Sequence, residues 1–334
     1  MVINKKQGDV DKKFFENEMA WVKIVVAKLT HAMLINPLKV IQIFCEMDDF
    51  VKSVEKFLEG KILGSYSPHA VNEPGISLSE MMCIEVLYHL SGYKCFQYYY
   101  QQAVEQGPLR SYFPSAPSYN RFVQLKPRIL PLVVLFINSC RIGQLCGIYY
   151  ADSTSLAVCH NRRINSNKVF KGKATRGKTS VGWFYGFKLF LVVNAFEEII
   201  KVMFAKGSLA DNNIDHLVKF FDRLKGWVFA DKGFINAKAT EELLQKGLHL
   251  LTGIRSNMKN KLMNYQQKIL LQKRGMIESI NDILKTVCDI ETTRNRSPVN
   301  ALLNIYAGVC AYTFLERLPN IFTLSHPQVT LIII

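Results

Sequence analysis

The chain has 334 residues, 49% of them hydrophobic, with 42 Lys and Arg against 27 Asp and Glu for a formal charge of +15. That length supports two or three domains with cores of their own and, with no low-complexity tract, excludes a disordered or fibrous chain. The basic excess favours polyanionic partners: nucleic acid first, a membrane surface as the rival, plain solubility as the bland alternative.

Residues 1–60 read as helical, with apolar residues at three- and four-residue spacing over 21–33 and 40–57. The stretch 60–75 is a connection rich in helix breakers. Ser77-Leu-Ser-Glu80 then has capping-box spacing and predicts a helix start. A second helix is expected over 93–104. Pro108, Pro114 and Pro117 break the chain before Ser118-Tyr-Asn-Arg121 opens a third towards Leu125. Three short helices with tight turns fit either a helix-turn-helix-like DNA reader or a small structural bundle. We therefore expect a helical segment over 1–60 and a helical, DNA-binding region over 61–143.

The texture changes near residue 146. Gly147-Ile-Tyr-Tyr-Ala-Asp152 and Gly226-Trp-Val-Phe-Ala-Asp231 each read as an apolar strand ending in an acid. Strands are also expected over 183–195, 199–205 and 248–254, and helices over 213–224, 237–246, 266–288 and 298–315. The order β, β, β, α, β, α, β, α predicts an α/β fold, a five-stranded mixed sheet packed with helices, over 144–318. The eight cysteines form no C-x-x-C pair and no zinc-site spacing, which fits a reducing compartment. The N-terminus lacks a secretory pattern, and the apolar run 129–137, broken by Pro131, is too short to span a bilayer. A soluble cytoplasmic protein is expected.

Aspartates at strand ends serve either as turn caps or as site residues fixed by a sheet. A third acid is Glu278. From Arg274, offsets of four and eleven residues rotate Glu278 and Lys285 by only about 40° and 20° on a helix, so the three share one face. Met276, Ile277, Ile280, Ile283, Leu284 and Val287 occupy the opposite side and are expected to pack on the sheet. The plain alternative is a solvated Arg–Glu pair. Three carboxylates meeting in one crevice would need a cation, and hard oxygen donors suit two Mg²⁺ or Mn²⁺ ions. No acid lies between Asp152 and Glu197, a stretch holding Arg162, Arg163, Lys168, Lys171, Lys173, Arg176 and Lys178. A second acid-free interval, 243–277, holds Arg255, Lys259 and Arg274 among its basic residues. Such loops neutralise phosphates, or are simply solvated.

Taken together, these pieces resemble the DDE transposases of bacterial insertion sequences, most closely insertion sequence family 982. The similarity runs from Phe44-Cys-Glu-Met-Asp-Asp-Phe50 through Ser118-Tyr-Asn-Arg-Phe122, Tyr150-Ala-Asp-Ser153 and Trp183-Phe-Tyr-Gly-Phe-Lys188. It continues through Asp231-Lys-Gly-Phe234, Arg255-Ser-Asn-Met-Lys259, the Arg274/Glu278/Lys285 helix and Thr293-Arg-Asn-Arg-Ser297 to Ala311-Tyr312. The resemblance implies a ribonuclease H-like catalytic domain whose three acids are Asp152, Asp231 and Glu278. It implies metal-dependent cleavage at insertion-sequence ends and strand transfer into target DNA. Arg274 and Lys285 match the basic members of the family signature, with roles on transposon-end phosphates. Lys188, Lys232 and Arg121, which stand inside matched motifs, join the basic-loop residues as DNA-binding candidates. The signature's tyrosine three residues before the arginine is Leu271 here, and a family histidine is Phe190.

Residues 1–40 and the apolar tail 319–334, read as disordered or foreign to the family, lie outside the match. The expected partners are inverted-repeat and target DNA, bound by a homodimer associated with the nucleoid. The alternative is a decayed, non-catalytic remnant that binds DNA as a repressor.

Overall fold

The computed structural model describes residues 36–59, 75–253, 263–291 and 295–315. The chain divides into two compact units, Met1–Gln124 and Leu125–Ile334, whereas the sequence suggested a change of domain near residue 143. The expectations for residues 1–35 and the 319–334 tail lie outside the described residues.

In the first unit every described element is helical. Helix α1, Pro37–Glu59, opens with a proline where no intrahelical donor is lost, and the Asn36 carboxamide oxygen accepts the Leu38 N–H at 2.9 Å. Its inner face buries Val40, Ile43, Met47, Phe50 and Val51 against α2, Leu78–Leu90. The capping box at the start of α2 forms as its spacing predicts. Ser77 Oγ accepts the Glu80 N–H at 3.1 Å, and Glu80 Oε2 accepts the Ser77 N–H at 2.7 Å. The helix expected over 93–104 is shorter and mixed: α3, Phe96–Tyr99, widens into a π-turn, Tyr100–Glu105. This irregular turn seats Tyr99 and Tyr100 in a cluster with Tyr88, Phe96, Tyr119 and Phe122. The buried hydroxyls of Tyr99 and Tyr100 donate to Ile84 O and Pro117 O. Glu105 accepts the Tyr119 N–H at 2.7 Å, placing an acid at the start of α4, Tyr119–Leu125.

The second unit begins with α5, Leu130–Cys140. By length and composition the run 119–140 is apolar enough to cross a membrane. Helix α5 nevertheless buries Val133, Phe136 and Ile137 and packs on the last helix, as core helices do. Among the described residues the sheet has six strands rather than five: β1 Ile148–Cys159, β2 Thr175–Lys178, β3 Trp183–Asn194, β4 Ile199–Lys206, β5 Gly226–Ala230 and β6 Leu248–Thr252. Their order is β2-β3-β1-β5-β6, with β4 also paired to β3. The β1–β3, β2–β3 and β3–β4 pairs are antiparallel, while β1–β5 and β5–β6 are parallel. Short β2 escaped notice because Thr-Arg-Gly-Lys has no apolar alternation.

Helices cover both faces. Alternate residues Tyr149, Ala151, Val228 and Ala230 face α6, Ile214–Phe220, and α7, Ala237–Gln245, in a core with Leu217, Phe220 and Leu243. Burying such side chains is worth roughly 1.5–3 kcal/mol each, which fixes the strand faces. The helix expected over 266–288 breaks at Lys273–Arg274 into α8, Tyr265–Gln272, and α9, Gly275–Thr286, the latter packing on β1. Met276, Ile277, Ile280 and Leu284 are buried as predicted, but Val287 lies beyond the helix end and is exposed. Helix α10, Pro298–Tyr312, completes the unit.

The parallel β1–β5 ladder begins at a tight crossing. Gly226 has φ +103, a Cβ there would stand 2.2 Å from Gly147 O, and Trp227 N–H donates to that same oxygen at 2.8 Å. Gly226→Ala is therefore expected to destabilise the protein by about 2–4 kcal/mol, from backbone strain plus the clash. Urea denaturation measures it, and a loss under about 0.5 kcal/mol would contradict the crossing geometry.

Candidate active site

Asp152 does not end its strand. β1 runs on for seven residues, and Asp152 remains paired to Leu191 of β3. What ends beside it is the parallel partner: the β1–β5 register closes at Ala151↔Ala230, and Asp231 is the next residue on β5's side. Sheet alternation then sets the faces. Tyr149 and Ala151 point to the α6–α7 core with Val228 and Ala230, so Asp152 and Asp231 point to the other face, that of α9. Below them Tyr150 and Phe229 pack with ring centroids 5.7 Å apart.

Helix α9 brings Glu278 in its first turn. Asp152, Asp231, Glu278 and Arg274 line one pocket of about 410 Å³, together with Ser153, Ser155, Lys178, Lys188 and Asp211. Arg274 Nη2 lies 2.7 Å from Glu278 Oε1 and 3.9 Å from Asp231 Oδ1, so one guanidinium nitrogen serves both carboxylates. Asn281, a turn after Glu278, donates from Nδ2 to Asp152 Oδ2 at 2.8 Å, and its Oδ1 is buried with no hydrogen-bond partner among the described residues.

Burial pushes the Asp152 carboxyl up to about 6, and the charges of Asp231 and Glu278 add to this while the Ser153 N–H and Arg274 oppose it. A buried, crowded carboxylate is short of positive charge. Three hard oxygen donors facing one pocket are the chemistry a divalent cation takes. Among the described residues, no three acids, histidines or cysteines stand close enough to hold one ion. Instead the Arg274 guanidinium lies within 3.9 Å of two of the three acids. Asp231 and Glu278 have half-exposed side chains turned to the same pocket as Asp152, and the donor set fits such a group in its chemistry.

The basic candidates fall into distinct settings. Arg162, Arg163, Lys171, Lys173, Arg176 and Lys178 are all exposed, and Lys178 reaches the pocket. Lys232 is exposed next to Asp231, and Arg121 is exposed in the first unit beside Gln124. Lys188 lines the pocket but is largely buried, donating to Asp211 Oδ1 at 2.7 Å and Leu209 O at 3.0 Å. Lys285 sits away from the acids and pairs with Glu291 at 3.3 Å. Arg255 and Lys259 lie outside the described residues. Asp211 and Asn281 escaped the sequence reading. Asp211 stands in an irregular turn with no pattern to flag it, whereas Asn281, three residues after Glu278 on the same helix, was within reach of helical geometry. Phe190 is core, packed against His216 with centroids 4.2 Å apart.

Residues 142–298 match the family model described as a transposase DDE domain. This supports a DDE transposase. The matched segment holds all three acids and covers just under half of the chain. The piggyBac transposase synaptic complex with hairpin DNA, solved by cryo-EM, is similar at a TM-score of 0.40 and 11% identity, over 82% of this chain and 72% of that one. A likeness that slight carries nothing further. No curated protein matches.

The raised Asp152 carboxyl has a sign that can be tested. The folded state holds its proton up to about pH 6, the unfolded chain only to about 3.8, so stability contributed by this group falls as pH rises between those values. Asp152→Asn, in chelator, is expected to stabilise the protein at pH 7.5 by about 2 kcal/mol, allowing for solvent screening, with the gain vanishing near pH 4. Melting curves across that range check it, and a gain independent of pH would contradict the assigned cause.

Proposed function

We propose that the protein is a DNA transposase that cuts at the ends of an insertion sequence and joins them to target DNA. Asp152, Asp231 and Glu278 are its catalytic acids, in a domain of ribonuclease H-like design. The observation that carries this reading is the convergence of the three acids on one pocket rimmed by Arg274 and Lys178. The match to a transposase DDE domain over the same residues supports it.

Held by these carboxylates, Mg²⁺ or Mn²⁺, in a pair, would supply the Lewis acidity and charge needed for displacement at phosphorus. The chain's own residues do the positioning. The sheet fixes Asp152 and Asp231 side by side, and Asn281 holds the Asp152 carboxylate in one orientation. Arg274 lies between Asp231 and Glu278, where its guanidinium can pass from carboxylate to a DNA phosphate oxygen. Lys178, with the exposed Arg176, Lys173, Lys171, Arg162 and Arg163, gives the DNA backbone a salt-sensitive path to the pocket. Two ends must be paired, so the working form is a homodimer on inverted-repeat DNA, in the cytoplasm with the nucleoid. The first unit, with its exposed Arg121, serves as the grip on the ends.

The test is nicking of a duplex carrying the element's terminal repeat. Wild-type protein is expected to cut in Mg²⁺ and not in chelator, and Asp231→Ala to lose at least about 100-fold in rate. Mg²⁺ is also expected to raise the melting temperature of the wild type and not of Asp231→Ala. Cutting undiminished in Asp231→Ala would refute the site. Binding of end DNA indifferent to Mg²⁺, with no cutting by the wild type, would favour a non-catalytic remnant that represses.

A further inference from the structure

Strands β2 and β3 form a hairpin whose tip leaves apolar surface in water. Val181 is 96% and Trp183 61% exposed. The turn is tight, with Thr179 and Gly182 exchanging backbone hydrogen bonds at 2.9 and 3.3 Å. Lys178 and Trp183 are direct register partners across it, and Lys178 Nζ stands 5.7 Å from the indole centroid. The backbone behind the ring is held: Asn161 Nδ2 donates to Trp183 O at 2.6 Å. Asn161 opens the short turn that carries Arg162 and Arg163. On the other side, Lys178, Thr179 and Ser180 line the pocket of the three acids.

An indole in solvent forfeits the free energy of burying it, so its place beside a charged pocket asks for a ligand that uses a flat π-face. A protein surface would also meet Lys178 beside the ring and the exposed Arg162 and Arg163 of the turn that Asn161 opens, cations that suit an anionic backbone better. Paired bases inside a duplex keep both faces stacked on neighbours. Away from a duplex end, only an unpaired base offers a face, and stacking on an aromatic side chain with a cation close by is how single strands are held.

We propose that Trp183, with Lys178 beside it, is a stacking platform for an unpaired base next to the phosphate that enters the acid pocket. This rests on the transposase reading above, in which a phosphodiester occupies that pocket. The platform gives the site a preference for DNA opened or single-stranded at the cut over intact duplex.

Equilibrium binding to the full chain, in chelator so that no cutting occurs, tests it with two DNAs: a blunt end-containing duplex, and the same duplex with a short single-stranded flank carrying 2-aminopurine at its first unpaired position. The flank is expected to tighten wild-type binding roughly tenfold and to quench 2-aminopurine. Trp183→Ala is expected to lose that gain and the quenching while binding the blunt duplex as before, and Trp183→Phe to keep most of both. An abasic site at the first unpaired position should remove the gain in the wild type and cost Trp183→Ala nothing more. Full gain in Trp183→Ala, or equal weakening on both DNAs, overturns the platform, the second pointing to a surface for something other than a base. Failure of the wild type to bind either DNA would instead overturn the transposase reading, and the platform with it.

Discussion

The site depends on where one ladder of backbone hydrogen bonds stops. The parallel pairing of β1 with β5 ends at Ala151↔Ala230, and the two residues that follow are aspartates on the same face of the sheet. A slip of one residue in either strand would turn its acid into the α6–α7 core, where Ala151 and Ala230 now lie fully buried. The apolar side chains thus fix the acids indirectly. Burying Tyr149, Val228 and their neighbours selects the register, and the register places the carboxylates.

Placing like charges together has a cost that the surroundings only partly offset. Asn281 and the Ser153 N–H serve Asp152, and Arg274 serves Glu278 and Asp231, yet Asp152 still holds its proton more tightly than an ordinary aspartate. The raised Asp152 carboxyl is the local cost in stability of burying that group and bringing these charges together. Nearby, Lys188 and Asp211 neutralise each other, which keeps a fourth carboxylate from adding to the repulsion.

Much of this was legible in the sequence where the physics is local. The capping box of α2, the strand leading to Asp231, and the amphipathic stripe of α9 follow from spacing alone. The continuation of β1 past Asp152 did not, because Ser153-Thr-Ser155 has no apolar alternation and is held in the sheet by antiparallel pairing to β3. The break at Lys273–Arg274 did have a local signal in Gly275, the poorest helix former after proline, which apolar periodicity alone passes over. The fates of the lysines were the least legible: Lys188 meets Asp211, well separated in sequence, and Lys285 meets Glu291 across the irregular turn that follows α9.

Glu291 does more than pair with Lys285. Its other carboxylate oxygen accepts the Ala157 N–H of β1 at 2.8 Å, while Asn281 is joined to Asp152 on the same strand. Helix α9 is thereby tied to β1 directly through Asn281 and indirectly through the Lys285–Glu291 pair, Glu291 lying beyond the helix end. Rotation about its own side-chain bonds brings the Glu278 carboxylate towards the aspartates without breaking either contact. That gives a physical reason for a glutamate at this position: its extra methylene supplies a torsion and a reach that an aspartate on the same helix would lack.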